Sequence, residues 1–379
     1  MDLFILFGVS GDLSRKKIIP AFYELFKQGK LRDTRILGVS RRDLSPEYIL
    51  QEVKPHIKNV EDKKLQEFKE NLDYFQLTFS DKEKYSELAS YIENIEKKHR
   101  IKDKIFYIST SPEFYEPIIE ALGNNNISRN SKIIIEKPFG EDTDSASKLN
   151  MLLKKYFSDE NIFRMDHYLG KKSIHELEKL REPEKLQIIF IEPFGIGTRG
   201  EYYNKFGALK DVFQNHILQL AAITLAKKEA EKIFILKKLS IEKIICGQYN
   251  EYLKEDKIPQ HSKTETFVAI KMIYENIPIY ILAGKKLSKK KSAVIIQRSN
   301  KETEIDFTND YFPAEPYVHL IADVFSGKQT YFVSEEEIEE QWKIVEKLAL
   351  MKPKIIKYDH EIPTEAKKLI EDDGWEWRI

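Results

Sequence analysis

The chain opens with an uninterrupted apolar run, Leu3–Phe7, that gives way at once to Gly8-Val9-Ser10-Gly11-Asp12-Leu13-Ser14 and then to an amphipathic stretch. An apolar run without polar alternation is the mark of a strand covered on both faces. Residues 15–29 read as a helix with Ile18, Ile19, Phe22, Leu25 and Phe26 on one side and Gly29 as its stop. A strand, a glycine turn and a helix in this order form the first unit of a parallel sheet with helices on both faces. The run does not read as a secretory leader, because it begins after Asp2, lacks a basic segment and is only five residues long before Gly8.

The alternation continues. Strands are expected at Arg35–Val39, Tyr74–Thr78, Ile105–Ile108 and Lys132–Glu136, with helical segments at 46–57, 61–70 and 81–98 between them. Past residue 165 the texture changes. A strand at 186–192 and a long helix at about 207–227 precede consecutive strand-like runs at Thr264–Ile273, Ile277–Leu282, Ala293–Arg298 and Thr303–Phe307. Helices return at 315–326, 335–350 and 363–371. The fold class expected is therefore an α/β Rossmann-like dinucleotide-binding domain over residues 1–165, joined to an α+β domain with a mainly antiparallel sheet over residues 166–379.

Charge and composition narrow the function classes. Lys plus Arg and Asp plus Glu each total 62, so the net charge is zero, which argues against a globally basic nucleic-acid binder. No apolar stretch is long enough to span a membrane as a helix. The single cysteine, Cys246, excludes an internal disulfide and a Cys-rich zinc site, and its apolar surroundings read as a buried, inert thiol. A cytoplasmic protein in a reducing compartment is the expectation.

Several groups carry chemistry. The turn G-x-x-G-x-x-S could cradle a pyrophosphate at a helix N-terminus, or be an ordinary strand-to-helix turn. The second strand is followed by Ser40, Arg41 and Arg42, with no acidic residue before Asp43. Arginine there can pair with the 2′-phosphate of NADP, where NAD would call for a carboxylate; a solvated arginine pair is the plainer reading. Lys137, in Glu136-Lys137-Pro138-Phe139-Gly140, stands at the carboxyl end of a strand, where open α/β sheets bind ligands.

Two histidine clusters follow. Arg164-Met165-Asp166-His167-Tyr168-Leu169-Gly170-Lys171 supplies an acceptor and three donors suited to a phosphate dianion. In the second, Leu209, Val212, Phe213, Leu220 and Ile223 mark one helix face, and His216 falls on it among Asp211, Gln214 and Asn215. A buried histidine needs a partner; it is either a satisfied core residue or a general base oriented by a carboxylate. The lysine run after Ile277–Leu282, which includes Lys285 and Lys290, is either a solvated loop or a source of sugar or phosphate ligands.

These blocks occur in one order: GVSGDLSRKKIIPAFY, EKPFG, RMDHYLGKK, IEPFG, EYYNKFGALKDVFQNHILQ, SKTETFVAIK, IPIYILAGKKLSKK, PYVHLIADVFSGKQTYFV and PTEAKKLIEDDGWEW. The chain thereby resembles the glucose-6-phosphate 1-dehydrogenase family from Leu3 to Trp377, with DHYLGK and QNH as the most specific elements. The resemblance implies an oxidoreductase of carbohydrate metabolism, in the pentose phosphate pathway, that oxidises C1 of glucose 6-phosphate to the 6-phosphogluconolactone with NADP; NAD stays open as the alternative cofactor. It implies His216 as general base and Asp166 as its partner. His167, Tyr168 and Lys171 would bind the phosphate. Glu192, Asp211, Lys285 and Lys290 would bind the sugar or complete the phosphate site. Lys17 and Lys137 would lie between cofactor and substrate. Gly8, Ser10, Gly11, Asp12 and Leu13 would form the diphosphate turn, and Arg41 would meet the 2′-phosphate. No metal is required, since the cofactor and a base suffice.

The sequence departs from the family in places. It is shorter, and the shortening is internal: QRSNKETEIDFTNDYFP stands where further sheet strands are usual. The family uses that sheet for dimer contacts, so a homodimer is one assembly open to the chain and not a required one. Residue 172 is Lys where Glu is usual, and Ser109-Thr110-Ser111-Pro112 replaces a more apolar turn. These changes leave room for a dehydrogenase of an amino- or deoxy-hexose 6-phosphate. A non-catalytic homologue would need eroded catalytic groups, and those groups are present.

Overall fold

The apolar run at the chain's start is β1 (Asp2–Phe7), and it lies at the middle of a six-stranded sheet in a computed structural model that describes residues 1–379 except 32, 181, 229–230 and 309–313. Its neighbours are β2 (Thr34–Ser40), β3 (Leu72–Gln76), β4 (Lys104–Ile108), β5 (Ser131–Glu136) and β6 (Ile162–Met165), in the order β3-β2-β1-β4-β5-β6, all parallel. This is the doubly wound order that places a ligand crevice at the carboxyl ends of the strands flanking the switch from β1 to β4. Leu3, Phe4, Ile5, Leu6 and Phe7 are fully buried. Each such side chain contributes about 1.5–3 kcal/mol, which is why β1 tolerates no polar alternation.

The sheet belongs to the first of two compact units, which comprises Met1–Gly140, Asp144–Lys171 and Tyr311–Val333. The last segment is far away in sequence, yet its helix Glu315–Ser326 puts Tyr317, Leu320, Ile321 and Val324 into the same buried cluster as Phe4, Phe22 and Ile134. The sequence reading had grouped this helix with the second part of the chain. Nothing in its periodicity says which sheet its apolar face covers.

The second unit comprises Glu141–Thr143, Lys172–Asp310 and Ser334–Ile379. It is built on seven strands: β7 (Lys185–Ile191), β8 (Ser240–Tyr249), β9 (Phe267–Tyr274), β10 (Ile277–Gly284), β11 (Lys291–Arg298), β12 (Lys301–Asp306) and β13 (Ile355–Tyr358). The order is β12-β11-β7-β10-β9-β8-β13. Only β7 with β10 and β8 with β13 pair in parallel, so the sheet is mainly antiparallel, as expected. One of its cores joins Ile189, Phe267 and Leu282 to Leu369, Ile370 and Trp375 of the C-terminal segment. Among the described residues no helix is long and apolar enough to cross a membrane. Cys246 is buried in β8, and burial pushes its thiol well up.

The elements differ from the sequence reading in specific ways. The strand expected at Tyr74–Thr78 is Leu72–Gln76, because its pairing with β2 runs from Ile36↔Leu72 to Ser40↔Gln76. Strands β6, β8 and β13 were not anticipated. β6 and β13 have only four residues each, and the first half of β8 is largely exposed and polar. Helices Tyr115–Asn124 and Thr143–Tyr156 were also missed. The helix expected at about 207–227 begins just past Gly207, whose φ of +60° and ψ of −173° break it from the preceding helix Gly200–Ala208, and it runs as a π-wound segment Leu209–Ile217 and then an α-helix Leu218–Leu225. Of QRSNKETEIDFTNDYFP, residues 309–313 lie outside the described residues.

Candidate active site

In the first unit the β1 carbonyl end opens into a cavity of about 830 Å³. Its floor is the glycine turn. Gly8 has φ +83°, and a Cβ there would stand 2.1 Å from the Ser109 carbonyl oxygen, so only glycine lets the two chain segments approach. The turn is closed by Gly11 N–H donating to the Gly8 oxygen at 2.9 Å and by Ser14 Oγ donating to the same oxygen at 2.9 Å. Gly8, Ser10, Gly11, Asp12 and Leu13 all line the cavity. This cradle, which a side chain would fill, suits a diphosphate. The Asp12 carboxylate itself is exposed, and hydrogen bonds from Lys16 and then Arg15 hold it below the usual range.

Other sequence-picked residues converge on the same cavity. Arg41, one residue beyond β2, is exposed at its wall. Arg42 instead lines a separate small cavity with Arg15, Tyr48 and Glu52. Lys17, Lys137 and His167 line the large cavity as well. Lys137 follows β5 through a cis bond to Pro138. The glycine turn, Arg41, Lys17, Lys137 and His167 thus share one opening.

Tyr317 and Glu136 are among the cavity residues that the sequence does not single out. Tyr317 stacks on His167 with ring centroids 6.1 Å apart and planes 8° apart, and the Lys17 ammonium lies 5.9 Å from its centroid. Glu136 is buried, and Tyr107 donates to its carboxyl at 2.5 Å. Burial, the largest influence, pushes the Glu136 carboxyl up to about 7, against the pull of Tyr107, Lys137 and Lys17. The signal for Glu136 was its place beside Lys137. Tyr317 offered only a helix periodicity.

The segment after β6 forms a short turn, His167–Gly170, on which Asp166 acts as cap: its Oδ1 accepts from Tyr168 N–H at 3.0 Å. Asp166 and Lys171 are buried, and the Lys171 ammonium stands 4.3 Å from the Tyr168 ring centroid. A Cβ on Gly170 would meet the Pro316 oxygen at 2.4 Å, which is how the turn and the Tyr317 helix pack closely.

The second unit carries the remaining candidates. Lys285 is buried, ion-paired with Glu192, and its ammonium lies 5.3 Å from the Tyr203 ring centroid. Asp211 is buried, with the Tyr202 hydroxyl at 3.5 Å and Arg199 at 4.0 Å. His216 is buried on the π-wound segment Leu209–Ile217, and its backbone N–H donates to Asn215 Oδ1 at 2.7 Å. Such wide turns are rare and concentrate at functional sites. Lys290 is exposed in the loop before β11. Asp166 lies in the first unit and His216 in the second, so their partnership is a matter for the functional reading below.

Comparison with known proteins gives the same picture. The family model described as the glucose-6-phosphate dehydrogenase NAD binding domain matches residues 5–176, and that of the C-terminal domain matches 181–310 and 298–378. The chain is 29% identical to the glucose-6-phosphate 1-dehydrogenase of Chlamydia muridarum, covering 99% of this chain and 96% of the relative. It is 30% identical to that of Borreliella burgdorferi, covering 99% and 97%. The first alignment runs over 486 positions against 379 residues here, so that relative carries internal material this chain lacks. A solved glucose-6-phosphate dehydrogenase in complex with its substrate glucose-6-phosphate superposes with a TM-score of 0.87 at 28% identity, covering 100% of this chain and 98% of that one. With family models matching both halves and relatives aligned nearly end to end, the chain belongs to the glucose-6-phosphate dehydrogenase family.

Proposed function

We propose that the protein is an NADP-linked glucose-6-phosphate 1-dehydrogenase that forms 6-phosphogluconolactone. The observation that carries this reading is the single cavity lined at once by the glycine cradle, Arg41, Lys17, Lys137 and His167. When bound, the dinucleotide supplies the two-electron acceptor. Its diphosphate would sit on Gly8–Leu13, and its 2′-phosphate against Arg41, whose fork suits a phosphate dianion. The absence of a carboxylate before Asp43 favours NADP over NAD.

The chain's own groups then handle the sugar. His167, Tyr168 and Lys171 would bind the 6-phosphate by charge and hydrogen bonds, with Lys290 completing that site. Glu192, Asp211 and Lys285 would hold the hydroxyls. His216 would take the proton from O1 as the C1–H bond breaks with its electron pair and the C1=O bond forms. Asp166 would hold the imidazole in the tautomer that leaves the attacking nitrogen free and would stabilise the imidazolium. Lys17 and Lys137 would orient substrate against cofactor. Homodimer formation through the second unit's sheet and a reducing, cytoplasmic location belong to the same reading.

The test is a panel of initial rates, read by absorbance of the reduced nicotinamide, over glucose 6-phosphate and the amino- and deoxy-hexose 6-phosphates with NADP and with NAD. Highest kcat/KM for glucose 6-phosphate with NADP supports the reading. A higher value for a modified hexose phosphate replaces the substrate, and turnover of none removes the activity.

A further inference from the structure

Glu265 has no role in the reading above, yet it stands where the His216 helix begins. Its backbone oxygen accepts from Ala208 N–H at 3.1 Å, and its Oε1 accepts from Leu209 N–H at 2.9 Å. These are N–H groups at a helix start, which have no partner within the helix. A carboxylate there is also favoured by the helix dipole. The fit is close: a Cβ on Gly207 would stand 2.4 Å from Glu265 Oε1, so the carboxyl occupies the space a side chain at 207 would need. Gly207 turns the chain at φ +60°, a conformation that glycine adopts freely. The segment that follows is π-wound, and Asn215 Nδ2 reaches back to the Lys210 and Asp211 oxygens at 3.1 and 3.2 Å. A wide turn of this kind has no strong register of its own, so its anchoring at the start matters.

We propose that Glu265 is a positioning residue for the reaction: it pins the first turn of the Leu209–Ile217 segment and thereby sets where Asp211 and His216 present their side chains. The proposal rests on the assignment of His216 as general base. The titratable groups facing Glu265 are Tyr203 from the preceding helix, Cys246 from β8, Tyr252 from the turn after β8 and Lys210 from the segment itself. Burial pushes the Glu265 carboxyl up to about 7, against hydrogen bonds from Leu209 and from its own backbone N–H, so its charge changes within the working pH range of a dehydrogenase assay.

Glu265→Ala, Glu265→Asp and Glu265→Gln separate the possibilities, with His216→Ala beside them. Removing or withdrawing the anchor lets the base shift, and a misplacement of about 1 Å costs on the order of 10²-fold in kcat. Glu265→Ala and Glu265→Asp are expected to lose kcat on that scale while NADP affinity stays within about twofold, since the cofactor site lies in the other unit. Glu265→Gln keeps the acceptor for Leu209 N–H and is expected to stay within about threefold of wild type at pH 8. Its deficit should shrink towards pH 6, where the wild-type carboxyl also becomes neutral. A merely structural role would lower the Tm and leave that ratio flat. If Glu265→Ala fails to fold, the Asp and Gln variants decide alone. Wild-type kcat in Glu265→Asp with His216→Ala inactive overturns the positioning role; full turnover in His216→Ala removes the parent reading instead.

Discussion

The glycine cradle of the first unit and the His216 segment of the second do their work by different means. The cradle is backbone. Its turn is closed by the Gly11 N–H on the Gly8 oxygen, Gly8 adopts φ +83°, and a side chain at Gly8 would meet the main-chain oxygen of Ser109. The His216 segment is side chains on a π-wound turn, held at its start by Glu265 from the loop that leads into β9. A backbone site needs a local pattern of glycines between a strand and a helix. A side-chain site needs partners that the fold brings from elsewhere. The first kind is robust to changes of polar side chains and brittle to an added methyl group; the second kind is the reverse.

Gly8→Ala attacks the cradle most directly and carries the largest expected effect among the binding-site changes. The strained φ alone costs about 1–3 kcal/mol. Displacing the turn forfeits charge-assisted N–H contacts, and NADP affinity should fall on the order of 10²-fold or more. Thermal unfolding and a cofactor titration measure both. Arg41→Ala should weaken NADP by about 10- to 10²-fold, the worth of charge-assisted bonds to a phosphate, and leave NAD nearly unchanged. Equal weakening of both cofactors would show that Arg41 does not read the 2′-phosphate.

Glu136→Gln sharpens the comparison through pH. The folded carboxyl stands at about 7, above its ordinary 4.5, so the folded state holds this proton more tightly than the unfolded chain. Stability from this source is full below the unfolded value and lost as pH rises through about 7, by about 3 kcal/mol at most. Urea unfolding of wild type should show stability falling over that window, and Glu136→Gln should flatten the fall. Glu265 contributes with the same sign, so Glu136→Gln should reduce the slope and not abolish it. The smallest effect is Asp12→Asn. Its carboxylate is exposed and paired with Arg15 and Lys16 at the surface, so stability should change by under about 1 kcal/mol. NADP affinity should change by less than about threefold if the turn acts through its backbone.

The same contrast explains what could be read in the sequence. Leu3–Phe7, the glycine turn, Arg41 and Lys137 are local signals; the first is the central strand β1, and the structure gathers the other three around one cavity. The Asp166–Lys171 turn and the His216 segment were visible as dense polar clusters, but their surroundings were not. Tyr317 reaches His167 from a helix about 150 residues further along the chain, and its apolar periodicity fits either sheet equally well. Glu265 sits in a run that reads as strand, and nothing local tells that its carboxyl caps a helix start. Gly207 was read as a helix residue because glycine within a helical pattern carries no sign of its φ. The short strands β6 and β13 fall below the length at which period-2 alternation can be recognised.

The central claim is that His216 takes the proton from O1 of glucose 6-phosphate. Initial rates of wild type and His216→Ala with glucose 6-phosphate and NADP test it most directly, with circular dichroism to establish that both are folded. Loss of a general base should lower kcat by about 10²–10⁴-fold while NADP binding persists. A folded His216→Ala variant that turns over at the wild-type rate would contradict the account.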